Sequence, residues 1–383
     1  MGIKRTTFSI VDTIIIFVVS LLLFLVLMFY LDENTDLVAH ARIAKEMNEN
    51  GNLFSGNFLL YFLINLFSLF SADFQVIEIS LCVLLALAVT FKYNIIKSYF
   101  AGFLTLKKAG FLSCSLSVIY ILPLFYFLKY FGIFLNKENM YLGYYVPNVW
   151  HNSTVIFLFP FAILLYLLSI KQLNEYDKKR NYFITILVIL NVLIKPSFFF
   201  VFLIAYPLNV IFKVGLKDSA KYFLLPITTG LLSMLYVYLT IYSGDDGSAV
   251  TISFSNILNA TFWINNGKYL LVSLFFPLLY LAFNYKALIK DWEFLYVILL
   301  FIVSVGVFYL CREVGPRANH GNFYWQIVIT TWLVFLYMAK QLFVVNVKKT
   351  NMRLNSMFKV LYSLHVVMGV VYIIKLLMTK DFR

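Results

Sequence analysis

The sequence FSIVDTIIIFVVSLLLFLVLMFYLDENTDLVAH, residues 8–40, joins a long apolar run to an acidic polar segment. Residues 8–31 exceed the roughly 20 apolar residues that a helix needs to cross the hydrocarbon core of a bilayer. Lys4 and Arg5 precede this run, and no small-residue cleavage site follows it. The pattern predicts an uncleaved membrane anchor rather than a signal peptide.

The rest of the chain has the composition of a membrane protein. Of its 383 residues, 62% are hydrophobic and 13% are charged, and the mean hydropathy is +0.86, whereas soluble domains carry about 25% charged residues. This composition excludes a soluble enzyme, a disordered chain and a nucleic-acid-binding domain. The three cysteines are too few and too scattered for a disulfide framework or a metal knuckle.

Apolar runs predict an all-α, polytopic transmembrane bundle of about 11 spans. The run 57–70 is ambiguous, and we interpret it as an interfacial or re-entrant segment. Residues 1–383 then form a single transmembrane domain without a separate soluble domain, and residues 32–73 form a first outer loop with amphipathic surface helices. The predicted spans lie near 8–31, 74–91, 109–130, 153–170, 181–195, 197–213, 222–242, 269–284, 292–311, 323–342 and 358–377.

The distribution of basic residues predicts the orientation of these spans. Loops on the N-terminal side hold 20 of the 31 Lys and Arg residues. Because cytoplasmic loops carry the excess of basic residues, we expect a multi-pass protein of the cell (plasma or inner) membrane with a cytoplasmic N-terminus. The loops with unusual polar residues then all lie on the outer, extracytoplasmic face: 32–56, 131–152, 243–268 and 312–322.

Acidic residues and a histidine follow the first span. Apolar positions after Asp36 indicate a short amphipathic helix that stops at Gly51, and this helix places Asp36 and His40 on one face. A carboxylate beside a histidine can act as a general base on a hydroxyl or help to hold a divalent cation. Asp32 lies one turn earlier. The alternative interpretation is a solvated acidic cap at a helix N-terminus.

A second polar group ends the outer loop before residue 153. Tyr145 and Trp150 are aromatic, and His151 and Asn152 add hydrogen-bonding groups. Aromatic faces with adjacent polar groups suit sugar rings, which are apolar on their faces and polar at their rims. The alternative is an aromatic belt at the membrane interface with a helix cap.

Basic residues in two further places predict phosphate binding. Lys195 lies in the outer part of the membrane, where lysine is costly, and Pro196 breaks the helix after it. Arg312, Arg317 and His320 belong to a tight loop rich in glycine and proline. Arginine binds phosphate through two parallel hydrogen bonds, so a lipid-carried phosphate is the expected partner. Snorkelling of Lys195 and an exposed charged loop are the alternatives.

This arrangement resembles the GT-C superfamily of integral-membrane glycosyltransferases, in the type that serves bacterial surface-polysaccharide synthesis. The resemblance lies in the first span, the acidic outer loop from Asp32 to Phe70, the Lys195–Pro196 step and the loop Arg317–His320. Asp32 and Asp36 stand four apart in place of the contiguous Asp-x-Asp of that superfamily.

The resemblance implies a polyprenyl-phosphate-linked sugar as donor and a glycan or lipid-linked acceptor in the membrane. Asp36 would be the base, with Asp32 as the alternative, and His40 would orient the base or contact the acceptor. A divalent cation is possible but not required, because cationic side chains could neutralise the phosphate. The implied sugar site comprises Tyr145, Trp150, His151 and Asn152, and the implied lipid-phosphate site comprises Lys195, Arg312, Arg317 and His320.

Two other functions fit the same pattern. A Wzy-type polymerase of O-antigen or capsule repeat units also has many spans and outer loops, but Arg is scarce in the outer loops here. A transporter or flippase of lipid-linked glycans would need polar residues through the midplane of the membrane and often shows internal repeats. Both features are weak in this sequence.

Overall fold

The computed structural model of the protein describes residues 10–31, 36–122, 145–242, 249–253, 260–315, 322–345 and 352–379. Helices dominate these residues and form one bundle, as the sequence predicts. The helices are α1 (Ile10–Leu31), α2 (Asp36–Glu49), α3 (Leu59–Phe67), α4 (Phe74–Ala101), α5 (Leu106–Val118), α6 (Ser153–Asn174), α7 (Lys178–Ile194), α8 (Ser197–Val214), α9 (Leu216–Tyr242), α10 (Ala260–Ser273), α11 (Phe275–Leu288), α12 (Trp292–Leu310), α13 (Trp325–Lys340) and α14 (Met352–Thr379).

Within the described residues, eight helices are long and apolar enough to cross a membrane, or nine with one bent pair. They are α1, α4, α6, α8, α9, α12, α13 and α14, and each covers a span predicted from the sequence. Helix α13 lies at the centre, with Trp332 fully buried, whereas Ile10 and Val19 of α1 face outward. Apolar residues that face outward are suited to contact with lipid.

Three of the predicted spans differ from continuous long helices. Helix α5 stops after 13 residues, at Val118, and the chain continues to residue 122 without helix or strand. Helix α7 has 17 residues, which is short for a span. Helices α10 and α11 meet at a bend of 87°. Pro277 lacks the N–H that would bond the carbonyl of Ser273, which favours the break at that point.

The segment predicted to hold amphipathic surface helices forms α2 and α3. Helix α2 is amphipathic, with Leu37, Ala41 and Ala44 buried, and the chain turns at Gly51 with a φ of +65°. Helix α3 has nine residues, so it is about 14 Å long and cannot cross a hydrocarbon core of about 30 Å. Asn65 of α3 donates to the carbonyl of Ala44 at 2.8 Å and ties the two helices together.

The break between α7 and α8 lies at Lys195 and Pro196, as expected. Lys195 has an extended backbone, with φ −168° and ψ 118°. A following proline disfavours helical geometry, so α7 ends before Lys195 and α8 starts after Pro196. The side chain of Lys195 is therefore placed at the helix junction.

A small antiparallel sheet was not predicted from the sequence. Strand β1 (Ala249–Ile252) pairs with β2 (Cys311–Val314), and Val250 lies opposite Glu313. Strand β2 follows α12 directly. Val250 and Ile252 of β1 and Cys311 and Glu313 of β2 line a cavity beside α8 and α9.

Candidate functional site

Three of the four polar segments singled out in the sequence meet in the structure. The Nδ2 of Asn152 donates to the Oδ2 of Asp36 at 3.1 Å, although 116 residues separate them. The Nζ of Lys195 donates to the Oγ1 of Thr154 at 3.1 Å. Asp36, Asn152, Thr154 and Lys195 thus form one cluster, which we call the Asp36 cluster together with His40 and His151.

Hydrogen bonds in this cluster form a directed chain from a cation to a carboxylate. Lys195 donates to Thr154, the Oγ1 of Thr154 donates to the Oδ1 of Asn152 at 2.9 Å, and Asn152 donates to Asp36. Each donor polarises the next, so the chain aligns with the field between the ammonium and carboxylate groups. Asp36 and Lys195 are held at fixed positions relative to each other.

The sequence folds this way because Asn152 caps helix α6. Its Oδ1 accepts from the backbone N–H of Val155 at 3.1 Å, a standard N-cap interaction. Because Oδ1 faces the helix, the amide nitrogen must face Asp36, and this network fixes the orientation of the amide. The cap therefore serves both the helix and the carboxylate.

His40 lies near Asp36 but bonds to a different residue. The Nδ1 of His40 and the Oη of Tyr61 are 2.8 Å apart. Burial, together with the positive charge of Lys195 and against the opposing effect of Asp36, lowers the pKa of His40 to about 4. The imidazole is therefore neutral at pH 7. Its partner, Tyr61 of α3, ties α2 and α3 together beside the carboxylate.

His151 completes the cluster on the side of helix α13. Its ring lies 6.0 Å from the ring of Trp325, edge to face, and the Nζ of Lys195 lies 5.6 Å from the centroid of the same ring. Burial lowers the pKa of His151 to about 4, with Asp36 acting in the opposite direction. Both histidines are thus neutral polar groups, and Lys195 supplies positive charge.

Two of the predicted sugar-site residues lie in other surroundings. Tyr145 is buried, and its hydroxyl pairs with the hydroxyl of Tyr309 at 2.9 Å. Trp150 is also buried, with its ring 6.2 Å from Phe24 of α1. These contacts anchor the segment between residues 145 and 152, and they do not place either ring against Asp36.

The predicted phosphate loop is only partly within the described residues. Arg312 lies on β2 with an exposed side chain, and the neighbouring Cys311 and Glu313 line a cavity instead. Successive residues of a strand face opposite sides, which explains the difference. Asp32, Arg317 and His320 fall outside the described residues.

An apolar groove adjoins the Asp36 cluster. It is a cavity of about 660 Å³ between α8, α9 and α12, and Lys195 lies in its wall. Glu313 also lines it and accepts from the Nδ2 of Asn322 at 2.7 Å. Most of the remaining wall is apolar, and it includes Phe200, Leu203, Ile204, Leu231, Met234 and Leu235.

The described residues contain no group of three His, Cys, Asp or Glu side chains that could hold a metal ion. The sequence suggests Asp36 and His40 as ligands of a divalent cation. An ion there would need further ligands, since Ca²⁺ takes at least six and Mg²⁺ binds in octahedral geometry.

Four residues of the site were not among the predicted site residues: Tyr61, Thr154, Glu313 and Trp325. Thr154 stands two residues after Asn152, and its place in the second polar group was a usable signal. Tyr61 and Trp325 lie in apolar runs, where an aromatic residue is ordinary. Only tertiary packing brings them to the cluster.

The fold, the apolar helices and the basic loops define a multi-pass helical membrane protein. Comparison with protein-family models, with curated proteins and with solved structures finds no match to this chain. Its function is therefore inferred from the chemistry of the site.

Proposed function

We propose that the protein is a membrane glycosyltransferase that moves a sugar from a polyprenyl-phosphate donor to a glycan or lipid-linked acceptor on the outer face. One observation carries the proposal: a carboxylate and a lysine are joined by hydrogen bonds, and the lysine lies in the wall of an apolar groove. A lipid-linked sugar phosphate needs a groove for its chain and a cation for its phosphate. An acceptor hydroxyl needs a base.

The groove provides what a lipid-linked sugar phosphate needs, a site for its chain and a cation for its phosphate. Its apolar walls from α8, α9 and α12 match a prenyl chain, and Lys195 matches the phosphate at the head of that chain. An ammonium group has three N–H donors, so Lys195 can hold Thr154 and a phosphate oxygen together. The arrangement favours a lipid-linked donor over a free nucleotide sugar.

The Asp36 cluster provides the base that an acceptor hydroxyl needs. The acceptor oxygen bonds to the anomeric carbon while the bond from that carbon to the phosphate oxygen breaks. The electron pair leaves with the phosphate, which Lys195 stabilises, and the hydroxyl proton passes to Asp36. His40 and His151 are neutral at pH 7, and they can hydrogen-bond sugar hydroxyls without competing for the phosphate.

The experiment that tests the proposal is mass spectrometry of lipid-linked and surface glycans. Cells lacking the gene are complemented with wild type, Asp36→Asn or Glu49→Gln. Glu49 is an exposed carboxylate at the other end of the same helix, so its variant is a matched control. We expect a glycan short by one sugar in the deletion strain, restored by wild type and Glu49→Gln but not by Asp36→Asn.

The other outcomes of this experiment point to the competing functions. Accumulation of single complete lipid-linked repeat units would indicate a Wzy-type polymerase. An unchanged set of glycan structures with altered distribution across the membrane would indicate a transporter or flippase. Full rescue by Asp36→Asn would remove Asp36 from the mechanism.

A further inference from the structure

A lysine is buried inside the bundle, on helix α4. Lys92 is 6% exposed, and its Nζ lies 3.7 Å from the ring centroid of Phe159 and 4.6 Å from that of Trp332. Lys97, five residues further along α4, forms an ion pair with Asp12. No ion pair of Lys92 is found among the described residues. An ionisable residue inside a membrane span is costly and is retained for a reason.

The hydrogen bond made by Lys92 fixes one amide side chain. Its Nζ donates to the Oδ1 of Asn148 at 2.9 Å. The Nδ2 of Asn148 donates to the carbonyls of Leu116 at 3.2 Å and Ile119 at 2.9 Å. These carbonyls lie at the end of α5, where a helix leaves its last carbonyls without intrahelical partners. Lys92 therefore holds the amide in the orientation that ties residue 148 to α5.

The segment fixed in this way leads directly to the Asp36 cluster. Residues 145–152 form neither helix nor strand, so side-chain contacts determine their course. Asn148 anchors the middle of the segment, and Asn152 ends it with its bond to Asp36. His151 lies between the two. A displacement at Asn148 would thus change the positions of His151 and Asn152.

We propose that Lys92 is a positioning residue of the Asp36 cluster. It acts through Asn148 to hold the segment 145–152, and through that segment it sets the position of the groups around Asp36. The inference about activity rests on the proposed function, whereas the anchoring of the segment does not. Lys92 does not itself touch the cluster, so it has no part in the chemical step.

The test compares three variants of the full-length protein in detergent or liposomes. Lys92→Met removes the donor, Lys92→Gln keeps an N–H donor on a side chain one bond shorter, and Lys97→Met removes a lysine from the same helix that bonds elsewhere. Hydrogen exchange of the amides in residues 145–152 reports the anchoring. Turnover and KM for lipid-linked sugar extracted from the protein's own cells report the positioning, and thermal unfolding reports the fold.

We expect faster exchange in residues 145–152 for Lys92→Met only, with protection of α8 and α12 unchanged. Its kcat falls about 10- to 100-fold, the cost of misplaced reacting groups, while KM changes little and Lys92→Gln restores part of the rate. Unchanged exchange in Lys92→Met would overturn the inference. Faster exchange throughout the bundle with a matching loss of thermal stability would also overturn it, because that result would show that Lys92 only supports packing in general. If exchange in residues 145–152 changes in Lys92→Met but the wild type itself shows no transfer activity, the anchoring by Lys92 stands and the proposed function is rejected.

Discussion

Thr154 is the residue through which the cation and the carboxylate of the site are joined. Its hydroxyl accepts from Lys195 and donates to Asn152, so one small side chain supports both partners of the proposed reaction. Valine has nearly the same shape and can do neither, which makes the substitution a direct test of the hydrogen-bond chain.

For Thr154→Val we expect a loss of kcat. A buried hydrogen bond to a charged group is worth about 1.5–3 kcal/mol, which corresponds to roughly 10- to 150-fold in rate if it is used in the transition state. Thr154→Ser keeps the hydroxyl and is expected to retain most of the activity. Steady-state kinetics of the three proteins checks the expectation, and equal rates for valine and wild type would show that the chain has no part in catalysis.

His40 and His151 make stability depend on pH in a defined direction. Burial lowers the pKa of both to about 4 from a usual value of 6.5, so below pH 6.5 the unfolded chain binds more protons than the folded protein. The stability that comes from the neutral rings is complete above pH 6.5 and is lost as the pH falls towards 4. We expect the melting temperature to fall over this range and His151→Gln to flatten the slope. Parallel curves for variant and wild type would contradict the shifted pKa of His151.

At the scale of elements, glycine contacts determine how closely the last helix packs. Gly369 of α14 lies against α5, where an added Cβ would come 1.3 Å from the carbonyl oxygen of Val118. Gly306 of α12 has nothing within 4 Å of the same position. Alanine at these two sites should therefore have opposite effects.

We expect Gly369→Ala to lower the free energy of unfolding by about 1–3 kcal/mol or more, because the backbone must shift to admit the methyl group. Gly306→Ala should raise it by about 0.5–1 kcal/mol, the usual gain on replacing glycine within a helix. Denaturation of the purified variants measures both. Equal stability of wild type and Gly369→Ala would mean that α14 does not pack against α5 as described.

The groove between α8, α9 and α12 allows a prediction about lipid length. Met234 lines the groove, whereas Leu232 on the same helix is 67% exposed and does not. Tryptophan at residue 234 would fill part of the groove, so we expect a higher KM for long-chain donors and little change for short-chain ones. Tryptophan at residue 232 is the control. An effect of equal size at the two positions would place the lipid chain elsewhere.

For the whole molecule, most of the helical architecture could be predicted from the sequence because apolar length alone determines which helices can span a membrane. Local rules were sufficient for α2, for the break at Pro196 and for the pairing of Asp36 and His40 on one face. They failed at α5 and at the α10–α11 bend, where proline and contacts from other helices change the path of the chain.

Side-chain direction in the segment 145–152 was beyond sequence reasoning. Irregular backbone has no period, so nothing local distinguishes Asn152, which faces Asp36, from Trp150, which packs on α1. No local pattern indicates that Tyr61 and Trp325 contact the Asp36 cluster either. Within the described residues, three segments that are distant in sequence meet at the Asp36 cluster, whereas Arg317 and His320 of the fourth lie outside those residues.

The most direct measurement of the central claim is donor cleavage by the purified protein. Protein reconstituted in liposomes is incubated with lipid-linked sugars and acceptor extracted from its own cells, and the release of free polyprenyl phosphate is followed by mass spectrometry. The account predicts release by wild type and Glu49→Gln that is coupled to growth of the acceptor by one sugar, and loss of both with Asp36→Asn. Equal release by wild type and Asp36→Asn, or no release by either, would contradict it.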